Sequence, residues 1–128
     1  MKKNISILGS TGSIGLTTLD IIDKKKGVFN VSLLYANQNI DLISKQIRKY
    51  KPNFFVVKNR NAYKKIKSKF KKSKTKILHS LESLKIKKKL DISISAIPGI
   101  NGLKPTIKVI KNSKKVLIAN KESIICGW

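Results

Sequence analysis

Gly9, Gly12 and Gly15 fall at intervals of three in Ile5-Ser6-Ile7-Leu8-Gly9-Ser10-Thr11-Gly12-Ser13-Ile14-Gly15, where a short apolar run gives way to a helical pattern. That spacing suits a phosphate. The first glycine lets the chain leave a strand sharply. The second removes the Cβ that would hold a pyrophosphate off the backbone, and the third lets the helix pack against the strand. The N–H groups left over at the helix start face the anion, with the helix dipole behind them. The pattern G-x-x-G-x-x-G is one residue off the standard dinucleotide fingerprint, and glycine-rich turns also occur without a ligand.

Three more groups of polar residues bear on that chemistry. After the run Phe29 to Tyr35 comes Ala36-Asn37-Gln38-Asn39, with no acid between Phe29 and Asn39. A site for NAD usually ends this strand with Asp or Glu, which accepts from the ribose hydroxyls and repels a 2′-phosphate. Asn37, Gln38 and Asn39 can donate amide hydrogens to phosphate oxygens instead, with Lys58 or Arg60 as charge partners, so NADP is the expected cofactor. Ala96-Ile97-Pro98-Gly99 and Asn120-Lys121-Glu122 each follow another apolar run.

The elements that must position these groups read as alternating strands and helices, hence a Rossmann-like, doubly wound α/β fold with a mainly parallel sheet and helices on both faces. Strands are expected over 5–8, 29–35, 54–57, 91–96 and 115–118, with a short extended piece over 76–78. A helix over 13–24 is expected to turn Ile14, Thr18, Ile21 and Ile22 inward. A second, capped by Asn39, carries Ile40, Ile43, Ile47 and Tyr50 and stops before Pro52. A third lies around Tyr63 to Phe70, and Pro105 opens a fourth with Leu103, Ile107 and Ile110 as its stripe. In an open parallel sheet ligands sit outside the carboxyl ends of the strands, and all four polar groups line that edge.

Size and composition set the bounds. A chain of 128 residues makes one domain, 1–128, with no internal boundary or repeat. No apolar run approaches the ~20 residues that span a bilayer, and the run after Met1-Lys2-Lys3 ends at Gly9, so no membrane association and a cytoplasmic location are expected. Cys126, the single cysteine, reads as a small buried hydrophobe. The formal charge of +23 would ordinarily point to nucleic acid, but of 29 basic residues only Arg48 and Arg60 are arginine. Nucleic-acid surfaces lean on Arg for bidentate and stacking contacts. Phe70, the one aromatic between Lys64 and Lys76, falls at helical spacing from Tyr63 and Ile66 and is expected in the core. No nucleic-acid partner is therefore expected. The alternatives are a lysine-rich nucleic-acid module using residues 64–89, or another NADP-dependent oxidoreductase such as a semialdehyde dehydrogenase, which would need Cys126 as a nucleophile.

Three strings, Gly9-Ser10-Thr11-Gly12-Ser13-Ile14-Gly15, Ala96-Ile97-Pro98-Gly99 with Gly102-Leu103-Lys104-Pro105-Thr106, and above all Ala119-Asn120-Lys121-Glu122-Ser123, make the chain resemble the N-terminal NADPH-binding domain of the 1-deoxy-D-xylulose-5-phosphate reductoisomerase family. The resemblance covers essentially the whole chain. It implies an enzyme of isoprenoid biosynthesis that rearranges a sugar phosphate and reduces the resulting aldehyde with NADPH, assisted by Mg²⁺ or Mn²⁺, and that forms a homodimer at full length. It places Thr11, Gly12, Ser13 and Ile14 on the pyrophosphate and Asn37, Gln38 and Asn39 at the adenosine ribose phosphate. Asn120 and Glu122 would contact NADPH, and Lys121 the substrate. The family often has Gly and a basic residue where Asn37 and Gln38 stand, and commonly Val in place of Pro98. Its members continue well past Trp128. The six acids, Asp20, Asp23, Asp41, Glu82, Asp91 and Glu122, are dispersed, so no metal ligands and no catalytic residues are expected within this chain.

Overall fold

Short runs rich in Ile, Val, Leu and Phe assemble into one sheet in the computed structural model, which describes residues 2–25, 27–81, 90–97 and 113–118. The elements are β1 (Lys3–Leu8), α1 (Ser13–Lys24), β2 (Phe29–Ala36), α2 (Ile40–Tyr50), β3 (Phe54–Val57), α3 (Arg60–Lys69), β4 (Lys76–Leu78), β5 (Leu90–Ser95) and β6 (Ser113–Ile118). The strands lie in the order β4-β3-β2-β1-β5-β6, and every pairing is parallel. Winding therefore runs from β1 toward β4 on one side and continues through β5 and β6 on the other. The point of reversal lies between β1 and β5, where a doubly wound sheet opens its ligand crevice.

Both faces of the central strands are covered, which is why β1 to β3 read as nearly unbroken apolar runs. On one face Ile5, Ile7, Val31, Leu34, Phe55 and Val57 meet Leu19 and Ile22 of α1, Ile43 and Ile47 of α2, and Ala62 and Ile66 of α3. On the other, Leu8, Leu33, Tyr35, Val56 and Leu90 gather with Leu81. The described helices all lie on the first face; the helix expected from Pro105 falls outside the described residues. Tyr63 and Phe70 pack against the first cluster, as helical spacing required.

The inner face of α1 differs from its expected one. Gly15, Leu19 and Ile22 are buried, while Ile14 and Ile21 are 44% and 49% exposed. The rotation follows from Gly15, whose bare Cα lies against the backbone of the preceding turn. With that face turned inward, Leu19 and Ile22, at i+4 and i+7, follow it into the core and Ile14 and Ile21 are carried outward.

Polar ties fix the strands at the reversal point. Ser6 Oγ donates to Ser93 Oγ at 2.7 Å, and Ser93 and Ser113 share a hydroxyl hydrogen bond at 2.6 Å, linking β1, β5 and β6. Asp91 Oδ2 accepts from the Asn4 N–H at 2.7 Å and its other oxygen pairs with Lys114 at 3.3 Å. The backbone hydrogen bond, then the Lys114 ammonium, hold the Asp91 carboxyl below the usual carboxylate range.

Candidate functional site

The turn between β1 and α1 separates its three glycines by purpose. Gly9 has φ +89°, and a Cβ there would lie 2.8 Å from the carbonyl oxygen of Ala96, just past β5. A Cβ on Gly15 would strike the Gly9 carbonyl oxygen and come within 2.7 Å of the Ser10 Cα. Both are glycine because the protein itself leaves no room. Gly12 is different: φ is −81°, open to any residue, and its Cβ would meet only the Gly9 carbonyl oxygen at 3.6 Å, an ordinary contact. The fold does not require a glycine there, and the residue faces outward. A ligand that must touch bare backbone gives it a reason.

The start of α1 points the same way. Asn39 Oδ1 caps α2 by accepting from Leu42 N–H at 3.1 Å, and Asn59 Oδ1 caps α3 by accepting from Ala62 N–H at 2.9 Å. Gly12, the N-cap of α1, supplies no side-chain acceptor. The two neighbouring helices each satisfy one first-turn N–H with a side-chain cap, whereas α1 has no such cap at the sheet edge.

Backbone hydrogen bonds hold this turn firmly. The N–H groups of Gly9 and Ser10 both donate to the Tyr35 carbonyl, at 2.7 and 3.0 Å, and Ala96 N–H donates to the Leu8 carbonyl at 2.8 Å. From α2, Gln46 Nε2 donates to the Ser10 carbonyl at 2.9 Å in a buried contact. Sequence reasoning missed Gln46. Its signal was a polar side chain three residues after Ile43 and one before Ile47, inside the stripe that faces the sheet.

Asn37, Gln38 and Asn39 emerge beside the turn, because β2 lies next to β1 with Tyr35 opposite Leu8. The loop after β3 is fastened to them. Asn59 N–H donates to the Asn37 carbonyl at 3.0 Å and Lys58 N–H to the Ala36 carbonyl at 2.9 Å, while Asn59 Nδ2 donates to Gln38 Oε1 at 3.3 Å. Asn39 and Gln38 use their side-chain oxygens as acceptors, and on these exposed residues the amide N–H groups are the donors left to a ligand. Asn59, also missed, thereby joins the two loops, and Lys58 and Arg60 flank it. Of the group after β5, Ala96 and Ile97 are described; Pro98 and Gly99 are not. Asn120, Lys121, Glu122 and Cys126 lie outside the described residues. His79 stands apart, with Nδ1 at 3.2 Å from the Val57 carbonyl and its ring 5.3 Å from that of Tyr63. Among the described residues no group of three or more His, Cys, Asp or Glu could hold a metal ion.

A doubly wound parallel sheet with an uncapped, glycine-lined helix start at its reversal point is the architecture of the Rossmann class. Residues 5–127 match the family model for 1-deoxy-D-xylulose 5-phosphate reductoisomerase, and the chain belongs to that family. The reductoisomerase of Porphyromonas gingivalis is 41% identical over 128 residues, covering 98% of this chain and 33% of the relative; that of Pelagibacter ubique is 40% identical, with 98% and 34% covered. Among solved structures, the Zymomonas mobilis enzyme in complex with NADPH superposes with a TM-score of 0.87 at 27% identity, covering 98% of this chain and 34% of that one. A DOX-P reductoisomerase with NADPH, fosmidomycin and magnesium gives 0.87 at 29% identity, with 96% and 31% covered. The chain thus spans about a third of the length of the curated relatives it matches.

Proposed function

We propose that this chain is the NADPH-binding part of a reductoisomerase that rearranges 1-deoxy-D-xylulose 5-phosphate and reduces the resulting aldehyde to 2-C-methyl-D-erythritol 4-phosphate, in isoprenoid biosynthesis. The observation that carries the reading is Gly12, bare without internal cause at the uncapped start of α1 beside the β1–β5 crevice. The solved relative described with NADPH supports it. When bound, NADPH supplies the hydride for the reduction. The backbone N–H groups of residues 11–14 hold the pyrophosphate, drawing on the positive end of the α1 dipole. The outward amides of Asn37, Gln38 and Asn39 receive the 2′-phosphate, with no carboxylate in that loop to repel it. Asn120 and Glu122 complete the cofactor contacts and Lys121 reaches the sugar phosphate. The ligands of the divalent metal, Mg²⁺ or Mn²⁺, and the catalytic groups belong to the remaining two thirds of the relatives' length, and the whole enzyme works as a cytoplasmic homodimer.

Titration of NADPH and NADH into the chain, with and without EDTA, tests this. NADPH binds more tightly than NADH by about tenfold, the worth of one charge-assisted hydrogen bond to the 2′-phosphate, and chelation changes neither constant. Equal dissociation constants would contradict the role given to Asn37 and Gln38. Metal-dependent NADPH oxidation with 1-deoxy-D-xylulose 5-phosphate by this chain alone would contradict the placement of the metal ligands and catalytic groups elsewhere.

A further inference from the structure

Gln46 is buried on α2, 4% exposed, between Ile43 and Ile47, both of which pack into the core. An apolar side chain would suit that stripe. The amide is instead kept at a cost, since its Oε1 is buried with no hydrogen-bond partner among the described residues, as is the hydroxyl of Ser10 beside it. What the amide does hold is the Ser10 carbonyl, at 2.9 Å from Nε2. That carbonyl belongs to the same peptide unit as the Thr11 N–H. The chain has no cis peptide bonds among the described residues, so C=O and N–H of this unit point in opposite directions. With the Ser10 oxygen drawn down toward α2, the Thr11 N–H is turned away from α2, to the outer side of the turn.

Resting on the cofactor reading above, we infer that Gln46 is a positioning residue for the dinucleotide: it locks the Ser10–Thr11 peptide in the orientation that offers the Thr11 N–H to the pyrophosphate. No atom of Gln46 needs to touch the cofactor. Because α2 also begins at the loop proposed to receive the 2′-phosphate, the same hydrogen bond fixes the distance between the two ends of the cofactor site.

Gln46→Met keeps the length and removes the donor. The test compares its affinity for NADPH with that for adenosine 2′-monophosphate, which carries the adenosine end without a pyrophosphate. NADPH weakens about fivefold to tenfold, the effect of one lost hydrogen bond at the turn, and adenosine 2′-monophosphate is held as before. A purely structural role predicts no such split: equal NADPH affinity in the two proteins, or equal losses of both ligands, overturns the inference while leaving the cofactor reading intact. Failure of the unsubstituted chain to bind NADPH would remove the cofactor reading and this inference with it. Should Gln46→Met not fold, nuclear magnetic resonance on the unsubstituted chain decides. NADPH, and not adenosine 2′-monophosphate, shifts both the Thr11 amide and the Gln46 side-chain amide signals, and an unmoved Gln46 signal overturns the proposal.

Discussion

Gly12 and Gly15 are three residues apart in one turn, yet they answer to different masters. Gly15 is required by the protein, since any Cβ drives into the Gly9 carbonyl. Gly15→Ala is expected to lower stability by about 3 kcal/mol, at the upper end of overpacking costs, measured by chemical denaturation whether or not cofactor is present. At Gly12 a Cβ meets no such obstacle in the free chain; Gly12→Val gives up only the modest advantage of glycine at an N-cap, its far-ultraviolet circular dichroism stays close to that of the parent, and its main cost is expected on binding. At the same scale, the proposed function gives the 2′-phosphate to the amides of Asn37 and Gln38, which carry no formal charge. Gln38→Lys is therefore expected to raise the NADPH preference over NADH by about tenfold, the gain from turning a neutral donor into a charged one; an unchanged ratio would place the 2′-phosphate elsewhere.

The helices show where sequence sufficed and where it could not. Residues 13–24 and 40–50 were legible as helices from their apolar period, and in α2 the cap agrees with it: Asn39 both starts the helix and bonds its third N–H. Asn39→Ala is expected to cost about 1 kcal/mol, read as a lower denaturation midpoint. Which face of α1 turned inward was not legible, because Ile14 and Ile21 outweigh Gly15 in any count of apolar residues, and only the clash a Cβ would make at Gly15 settles the rotation. Gln46 and Asn59 were hidden for a related reason: their partners, Ser10 and Gln38, are 36 and 21 residues away. Helix α2 also carries a pH signature. The Tyr50 hydroxyl donates to Asp23 at 2.9 Å, and burial, then Asp23, push its pKa well above the ordinary tyrosine value. The folded chain holds that proton more tightly than the unfolded one, so the contribution is complete below pH ~10 and lost as pH rises beyond it. Tyr50→Phe, weaker than the parent by roughly 1 kcal/mol at pH 8, converges on it above pH ~10; a constant gap across that range would contradict the linkage.

At the scale of the molecule, the strand order places the reversal point between β1 and β5, and the chemistry collects at one edge of the sheet. The turn after β1, the loop after β2 and the start of the segment after β5 are joined there by backbone hydrogen bonds, so the site is built into the sheet before any ligand arrives. The charge of +23 is spread over lysines on nearly every element and is not needed for this account. Parallel α/β topology was legible from the alternation of short apolar runs with helical periods, while the order of β5 and β6 relative to β1 was not, since nothing local in either strand encodes its neighbour. The central claim is that the cofactor's pyrophosphate lies on the bare backbone at Gly12. The most direct measurement is a fluorescence titration of NADPH into the parent chain and into Gly12→Val, each first shown to be folded by circular dichroism. Saturable binding to the parent and none measurable to Gly12→Val is the expected result; equal binding to the two folded proteins would contradict it.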